Sequence, residues 1–220
     1  MALLEANSRA NAELLAQQVG MRLIFGEANT EFHIAWLSRL PVLQAENYRL
    51  PMLAKTLLQI EVAGKGGPVA LFATHLNAGR RPEDEQVRSR EARAILDVLH
   101  TLGEQPHALV GDFNSLHPTD EANLPLYLTT AAEEGEDNLS AEPLPRQVIP
   151  LVLEAGYTDC YRALHPAEPG YTYAAPNPSL RLDYIFASPS LAGRLLACDR
   201  VTDAEAMIAS DHLPLWAEFT

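Results

Sequence analysis

The chain has 220 residues, nearly half of them apolar and a fifth charged, which is the balance of an ordinary globular protein with room for a real core. Acids outnumber bases by 29 to 16, and a formal charge of −13 excludes a general nucleic-acid binder held by phosphate neutralisation, because that needs clustered Lys and Arg. Two cysteines, Cys160 and Cys198, set no disulfide framework and no zinc motif, and both read as small buried hydrophobes.

Residues 1–4 read as the tail of a strand that stops at Glu5. Asn7 or Ser8 then caps a helix through about Gln18, with Leu14, Leu15 and Val19 on its buried stripe and Gly20 ending it. Residues 21–26 and 33–37 read as strands. Residues 55–62 and 69–74 alternate as a hairpin pair around the turn at 64–68, and the second ends in Thr74-His75-Leu76-Asn77. Residues 82–101 predict a long helix that opens with Pro82 and three acids, is stopped by Gly103, and buries Val87, Ala94, Ile95, Val98 and Leu99. Arg88, Arg90, Glu91 and Arg93 are expected to form its solvated face through helix-spaced ion pairs. Residues 118–147 read as an acidic surface insertion, 147–155 as a short helix and 170–173 as β-prone. Residues 181–187 form a strand carrying Asp183, 190–196 a short helix and 213–219 the final strand, with Trp36 and Trp216 both in the core. Hairpins and helical crossovers together predict an α/β domain with mixed sheets across residues 1–220.

No apolar run approaches the roughly 18 residues that span a membrane. The N-terminus lacks the basic, apolar and small-residue regions of a signal peptide. A cytoplasmic protein without a membrane span is expected, a monomer by preference, although a segment upstream of Met1 could have carried a signal.

Chemistry gathers where strands end. Residues 108–115 run from apolar side chains into Gly111, then present Asp112 and Asn114 with Phe113 turned the opposite way by the two-residue period. A carboxylate beside an amide suits the handling of a phosphate and a water near a divalent cation, while an Asx-type turn is the plainer alternative. Polar groups of compatible chemistry end four further segments: Glu5, His75 with Asn77, Asp183, and Asp211 with His212. Glu5 and Asp211 can serve a hard cation as oxygen ligands, and a His beside a carboxylate can donate to a phosphate or take a proton.

Gly111-Asp112-Phe113-Asn114, Thr74-His75-Leu76, Arg181-Leu182-Asp183-Tyr184-Ile185-Phe186 and Ser210-Asp211-His212-Leu213-Pro214 resemble, in order, the motifs of the endonuclease/exonuclease/phosphatase superfamily with its deoxyribonuclease I-like fold. Leu3-Leu4-Glu5-Ala6 resembles the strand that ends in that family's metal-binding Glu, with Leu4 where Gln is usual. The resemblance implies a four-layer α/β/β/α sandwich of two mixed sheets and metal-dependent phosphoester hydrolysis by in-line attack of water. It implies Mg²⁺ (or Mn²⁺) on Glu5 with Asp211 as a further ligand, and Asp112 on the attacking water. Asn114 and His75 then donate to the phosphate, and an Asp183–His212 dyad stabilises the transition state or moves a proton. Asn77 is a further candidate for substrate binding. The family also opens with a strand bearing a metal-supporting Asn, which this sequence does not carry before Glu5. Weaker metal binding and lower turnover than in a chain with that strand are therefore expected.

Three functions compete at this point: a phosphodiesterase or phosphatase on a small or lipid-derived phosphoester, a nuclease, and a protein of low or no activity that acts by binding. The acidic balance favours the small substrate over nucleic acid. The retention of Asp112, Asn114, Asp183, Asp211 and His212 together favours catalysis over a scaffold.

Overall fold

The computed structural model describes residues 1–133 and 146–220. In chain order the elements are β1 (Ala2–Leu3), α1 (Arg9–Gln18), β2 (Arg22–Gly26), β3 (Ile34–Ser38), β4 (Val42–Tyr48), β5 (Leu57–Gly64), β6 (Gly67–His75), α2 (Pro82–His100), β7 (His107–Asp112) and α3 (Leu124–Glu133). They continue with α4 (Val148–Glu154), β8 (Thr158–Asp159), α5 (Cys160–Leu164), β9 (Asp183–Ala187), α6 (Pro189–Ala192), β10 (Leu195–Arg200), α7 (Ala206–Ala209) and β11 (Leu215–Phe219).

The central sheet has six strands in the order β4-β5-β6-β7-β9-β8, with β6 and β7 parallel and the other pairs antiparallel. Its two faces are sorted by the strand period. Leu57, Phe72, Leu109, Tyr184 and Phe186 turn one way and pack with Ile95 and Leu99 of α2 and Ile149 of α4. Leu58, Ile60, Ala73, Ala108, Ile185 and Ala187 turn the other way and meet Ile34 and Trp36 of β3. Each such buried Leu, Ile or Phe contributes roughly 1.5–3 kcal/mol of burial. Facing the central sheet are a three-stranded sheet, β1-β3-β2, and the antiparallel pair β10-β11, with α1 against β2 on the outside. The indole Nε1 of Trp36 donates to the Leu58 carbonyl at 3.0 Å and ties one sheet to the other. The architecture is the predicted α/β/β/α sandwich, deoxyribonuclease I-like in its layers.

Several elements depart from the sequence expectation. Ser8 caps α1 and its side chain accepts from Asn11 N, but the helix buries Ala12 and Ala16 while Leu14 is 58% exposed. The small residues let α1 lie close on its neighbour. In α2 the solvated face lies elsewhere than predicted: Arg88 and Glu91 are buried, with Glu85, Ser89, Ala92, Ile95 and Leu99, whereas Arg90 and Arg93 are exposed as expected. Arg88 pairs with Glu85 and with the carbonyls of Asn77 and Gly79, and Glu91 accepts from the N–H groups of Ala54 and Asn77, so loop backbone supplies partners that helical spacing does not reveal. Trp216 alternates outward on β11 and is 42% exposed, unlike the buried Trp36. Residues 170–173 form no strand, only isolated bridges from Tyr173 to Leu180 and His212. Strands β4 and β10 occupy stretches that the sequence reading left without a strand. Of the insertion expected at 118–147, residues 134–145 lie outside the described residues, while Asp120 and Tyr127 are buried and Tyr127 packs with Leu116, Leu180 and Leu182.

Candidate active site

Three adjacent strands deliver three polar residues to one line. His75 is the last residue of β6 and registers with Asp112, the last of β7, in the parallel pair. Asp112 registers in turn with Asp183, the first residue of the antiparallel β9. Each lies an even number of residues from an inter-sheet core side chain (Ala73, Ala108 and Ile185), so all three share the face that looks toward the second sheet. Gly111 makes this line possible. Its φ is +147°, and a Cβ there would sit 1.8 Å from the Thr74 carbonyl oxygen, so β7 can close on β6 only without a side chain at that point. Phe113 faces the helices and is clamped edge-on by Tyr184 and Phe186, at ring centroid distances of 5.6 and 5.1 Å.

The turn after β7 fixes the Asp112 carboxyl. Asn114 adopts φ +49°, a left-handed conformation that Asn tolerates, and grips both oxygens: its N–H donates to Oδ1 at 2.8 Å and its Nδ2 to Oδ2 at 3.1 Å. The Asn114 Nδ2 also donates to the Leu76 carbonyl at 3.2 Å. His75 Nε2 lies 3.3 Å from Asp112 Oδ2. Burial and the adjacent Asp183 carboxylate push the Asp112 pKa up to about 7, against the opposing pull of His212, Asn114 and Lys55. His75 goes the opposite way, down to about 3, because burial and the neighbouring charges of Lys55 and His212 disfavour its cation.

The loop before β11 and the end of β1 complete the cleft from the other sheet. His212 Nδ1 meets Asp183 Oδ2 at 2.7 Å, and the ring lies 4.9 Å from that of Tyr173. Burial opposes a charge on His212, but the Asp183 carboxylate and its hydrogen bond outweigh this, with Asp112 and Asp211 adding to them, and raise its pKa to about 10. Asp211 is exposed, and its Oδ1 accepts from Ser210 Oγ at 3.2 Å. Glu5 follows β1 with φ +51°, its side chain 54% exposed, one carboxylate oxygen 3.8 Å from His75 Nδ1. That Nδ1 is buried and has no hydrogen-bond partner among the described residues. Among the described residues no three His, Cys, Asp or Glu side chains gather closely enough to hold a metal by themselves.

The structure thus brings Glu5, His75, Asp112, Asn114, Asp183 and His212 into one linked set, with Asp211 beside His212. Asn77 sits apart, its N–H bound to Glu91 Oε2 and its Nδ2 donating to the Ala78 carbonyl. Two members of the surroundings escaped the sequence reading. Lys55 is buried and its Nζ donates to the Leu76 carbonyl at 2.8 Å. Arg181, part of a motif but unassigned, is buried between Asp120 and Asp159, each 2.7 Å away, and locks the chain after Asn114 onto the strand of Asp183. A lysine opening an apolar strand carries no signal of this; a buried acid at Asp120 matching the motif's arginine could have.

No curated protein matches the chain in sequence. Among solved structures, it superposes with a TM-score of 0.75 on NExo, a 3′ phosphatase from Neisseria bound to a product DNA hairpin, at 23% identity over 100% of this chain and 88% of that one. An AP endonuclease from Archaeoglobus fulgidus gives a TM-score of 0.75 at 20% identity, over 99% of this chain and 87% of that one. An endonuclease/exonuclease/phosphatase from Beutenbergia cavernae gives 0.67 at 23% identity, over 93% of this chain and 54% of that one. At these identities the likeness speaks for the fold. The sequence profile of the Endonuclease/Exonuclease/phosphatase family matches residues 3–212, and with the strand-end row in place the chain belongs to that family.

Proposed function

We propose that this protein hydrolyses a phosphoester by attack of water on phosphorus, with Asp112 as the base. The observation that carries the reading is the row His75–Asp112–Asp183 across three strands, with His212 on Asp183. A carboxyl raised to about 7 is half-ionised at neutral pH, which balances the fraction of base present against its strength. Asn114 spends its donors on Asp112 and Leu76, so it orients the carboxylate; a bond from its amide to a phosphate oxygen requires releasing one of them. His212, paired with Asp183, stays an imidazolium through neutral pH and offers Nε2–H to the charge that develops on the phosphate oxygens. His75, neutral, has one ring N–H to give to substrate or water.

The donor set suits Mg²⁺ (or Mn²⁺) in the mode where one or two carboxylates hold an ion that keeps most of its waters. Glu5, exposed beside an unpartnered imidazole nitrogen, would hold it, with Asp211 reaching it through water. Bound there, the ion supplies positive charge to the phosphate oxygens. The acidic balance favours a small or lipid-derived phosphoester. A nuclease is the second reading, favoured by the DNA hairpin of one structural relative and the AP endonuclease activity of another.

A panel of bis-(p-nitrophenyl) phosphate, plasmid DNA, sphingomyelin and an inositol phosphate, assayed with Mg²⁺ and again with EDTA, tests the reading. Turnover of at least one substrate is expected, lost with EDTA and reduced about 10²–10⁴-fold by Asp112→Ala or His212→Ala. Activity that survives both substitutions refutes the assignment.

A further inference from the structure

Lys55 has no part in the chemistry described so far, yet it is 6% exposed and lies against the centre of the site. A buried ammonium is costly unless opposing charge and hydrogen bonds compensate it. Three carboxylates do so here: Asp112 at the end of β7, Glu91 on α2 and Glu5 after β1 all act against the effect of burial, while Arg88 on α2 acts with it. The Phe32 ring is 5.8 Å from Nζ. Glu91 sets the approach. One of its oxygens accepts from Ala54 N and the other from Asn77 N, both at 2.8 Å, so the residue before Lys55 and the residue after Leu76 are stapled to the same carboxylate. Lys55 Nζ then donates to the Leu76 carbonyl, the acceptor that also takes Asn114 Nδ2. The Leu76 N–H donates in turn to the Asp112 carbonyl at 2.9 Å. Leu76 is thereby tied to Lys55, Asn114 and Asp112 at once. Of the three ammonium hydrogens, Leu76 O is the one acceptor among the described residues, and two remain for water or a substrate oxygen.

We propose that Lys55 is the positioning residue and fixed cation of this site: its ammonium ties the end of β6 to the Asp112–Asn114 turn and supplies positive charge against the Asp112 carboxylate. The proposal rests on the reading of Asp112 as a base in phosphoester hydrolysis. Asp112 is faced by His75 from β6, Asp183 from β9, His212 from the loop before β11 and Lys55, so a change in its ionisation in a Lys55 variant reports the loss of one cation from a defined set.

Two measurements on the full chain separate this from a merely structural lysine. One is the titration of the Asp112 side-chain carbon by ¹³C NMR in EDTA, assigned with Asp112→Asn. The other is the acid limb of the pH–rate profile on the best substrate of the panel. In Lys55→Met both move to higher pH by about one unit, a tenfold loss of base at a fixed acidic pH. Lys55→Arg, which keeps the charge, stays near the unsubstituted protein. Lys55→Gln keeps a donor for Leu76 O without the charge; it shows the same upward shift and serves if the methionine variant does not fold. An Asp112 titration unmoved in a folded neutral variant overturns the proposal. If the unsubstituted protein hydrolyses none of the panel, the hydrolase reading fails in the activity arm, while the NMR arm still decides whether Lys55 acts on Asp112.

Discussion

Two histidines and a carboxyl in one cleft are held in three different ionisation states, and no motif letter says so. His75 ends β6 and His212 sits in the loop before β11, and both stand out in the sequence as candidate site residues. Their states are set by the fold: burial first, then the charges of Lys55 and His212, keep His75 neutral, while Asp183, twenty-nine positions earlier, outweighs burial at His212. The His212 pair makes a prediction for stability. Its folded pKa, about 10, is above the 6.5 of a free histidine, so its stabilisation is complete below pH 6.5 and is lost as pH rises through 10. Asp183→Asn removes that contribution. In metal-free buffer, urea unfolding should show the variant less stable at pH 8, with the gap closing toward pH 10, a range in which Asp112 is already ionised and contributes a constant offset. A gap that stays constant with pH would mean that the pair is not a charged one.

At the scale of elements, the sequence located most of the sandwich and misjudged how two helices sit in it, α1 by a turn of its face and α2 by the nature of its buried residues. Pro82, the acids of the first turn and Gly103 mark the ends of α2 well, because capping chemistry is local. Its buried stripe was read from apolar residues alone, whereas the real one begins with Glu85, Arg88 and Glu91 and becomes apolar only at Ala92, Ile95 and Leu99. Arg88 donates to Glu85 Oε2 and to the carbonyls of Asn77 and Gly79, and Glu85 Oε1 accepts from Ser115 Oγ and the N–H groups of Gln147 and Val148. Beyond the Arg88–Glu85 pair itself, those partners come from the loop after β6, the loop after β7 and the start of α4, so periodicity had no access to them. The edge strand β4 was missed for a related reason: its pattern is mostly exposed and lacks a clean alternation. Arg88→Met leaves the buried Glu85 and two carbonyls short of their donor, and should cost roughly 3–5 kcal/mol in urea unfolding. Arg90→Ala, on the exposed side, should stay within about 0.5 kcal/mol. Equal effects at the two positions would put both arginines in solvent.

At the scale of the whole molecule, the sandwich places carboxylates from both sheets around one opening, in a chain with 13 more acids than bases. Glu5 and Asp211 are exposed there, and Asp112 and Asp183 lie below them. A polyanion approaching this face meets like charge: Arg181, two residues from Asp183, is buried between Asp120 and Asp159, and the next cations in sequence to the row are Arg80 and Arg81 of the loop after β6. Arg80 already stacks on the Tyr127 ring at 4.4 Å. Few phosphates can then be neutralised by protein side chains, and the number neutralised is measurable. For duplex DNA the slope of log affinity against log salt is about −0.9 per phosphate neutralised. Titrating a fluorescent DNA duplex with the inactive Asp112→Ala chain, across a salt series at fixed Mg²⁺, should give a slope shallower than about −2. Under the same series, KM for bis-(p-nitrophenyl) phosphate, which carries a single charge, should change little. A slope near −5 or steeper would mean that a basic surface tracks the nucleic-acid backbone, and would move the substrate assignment from a small phosphoester to nucleic acid.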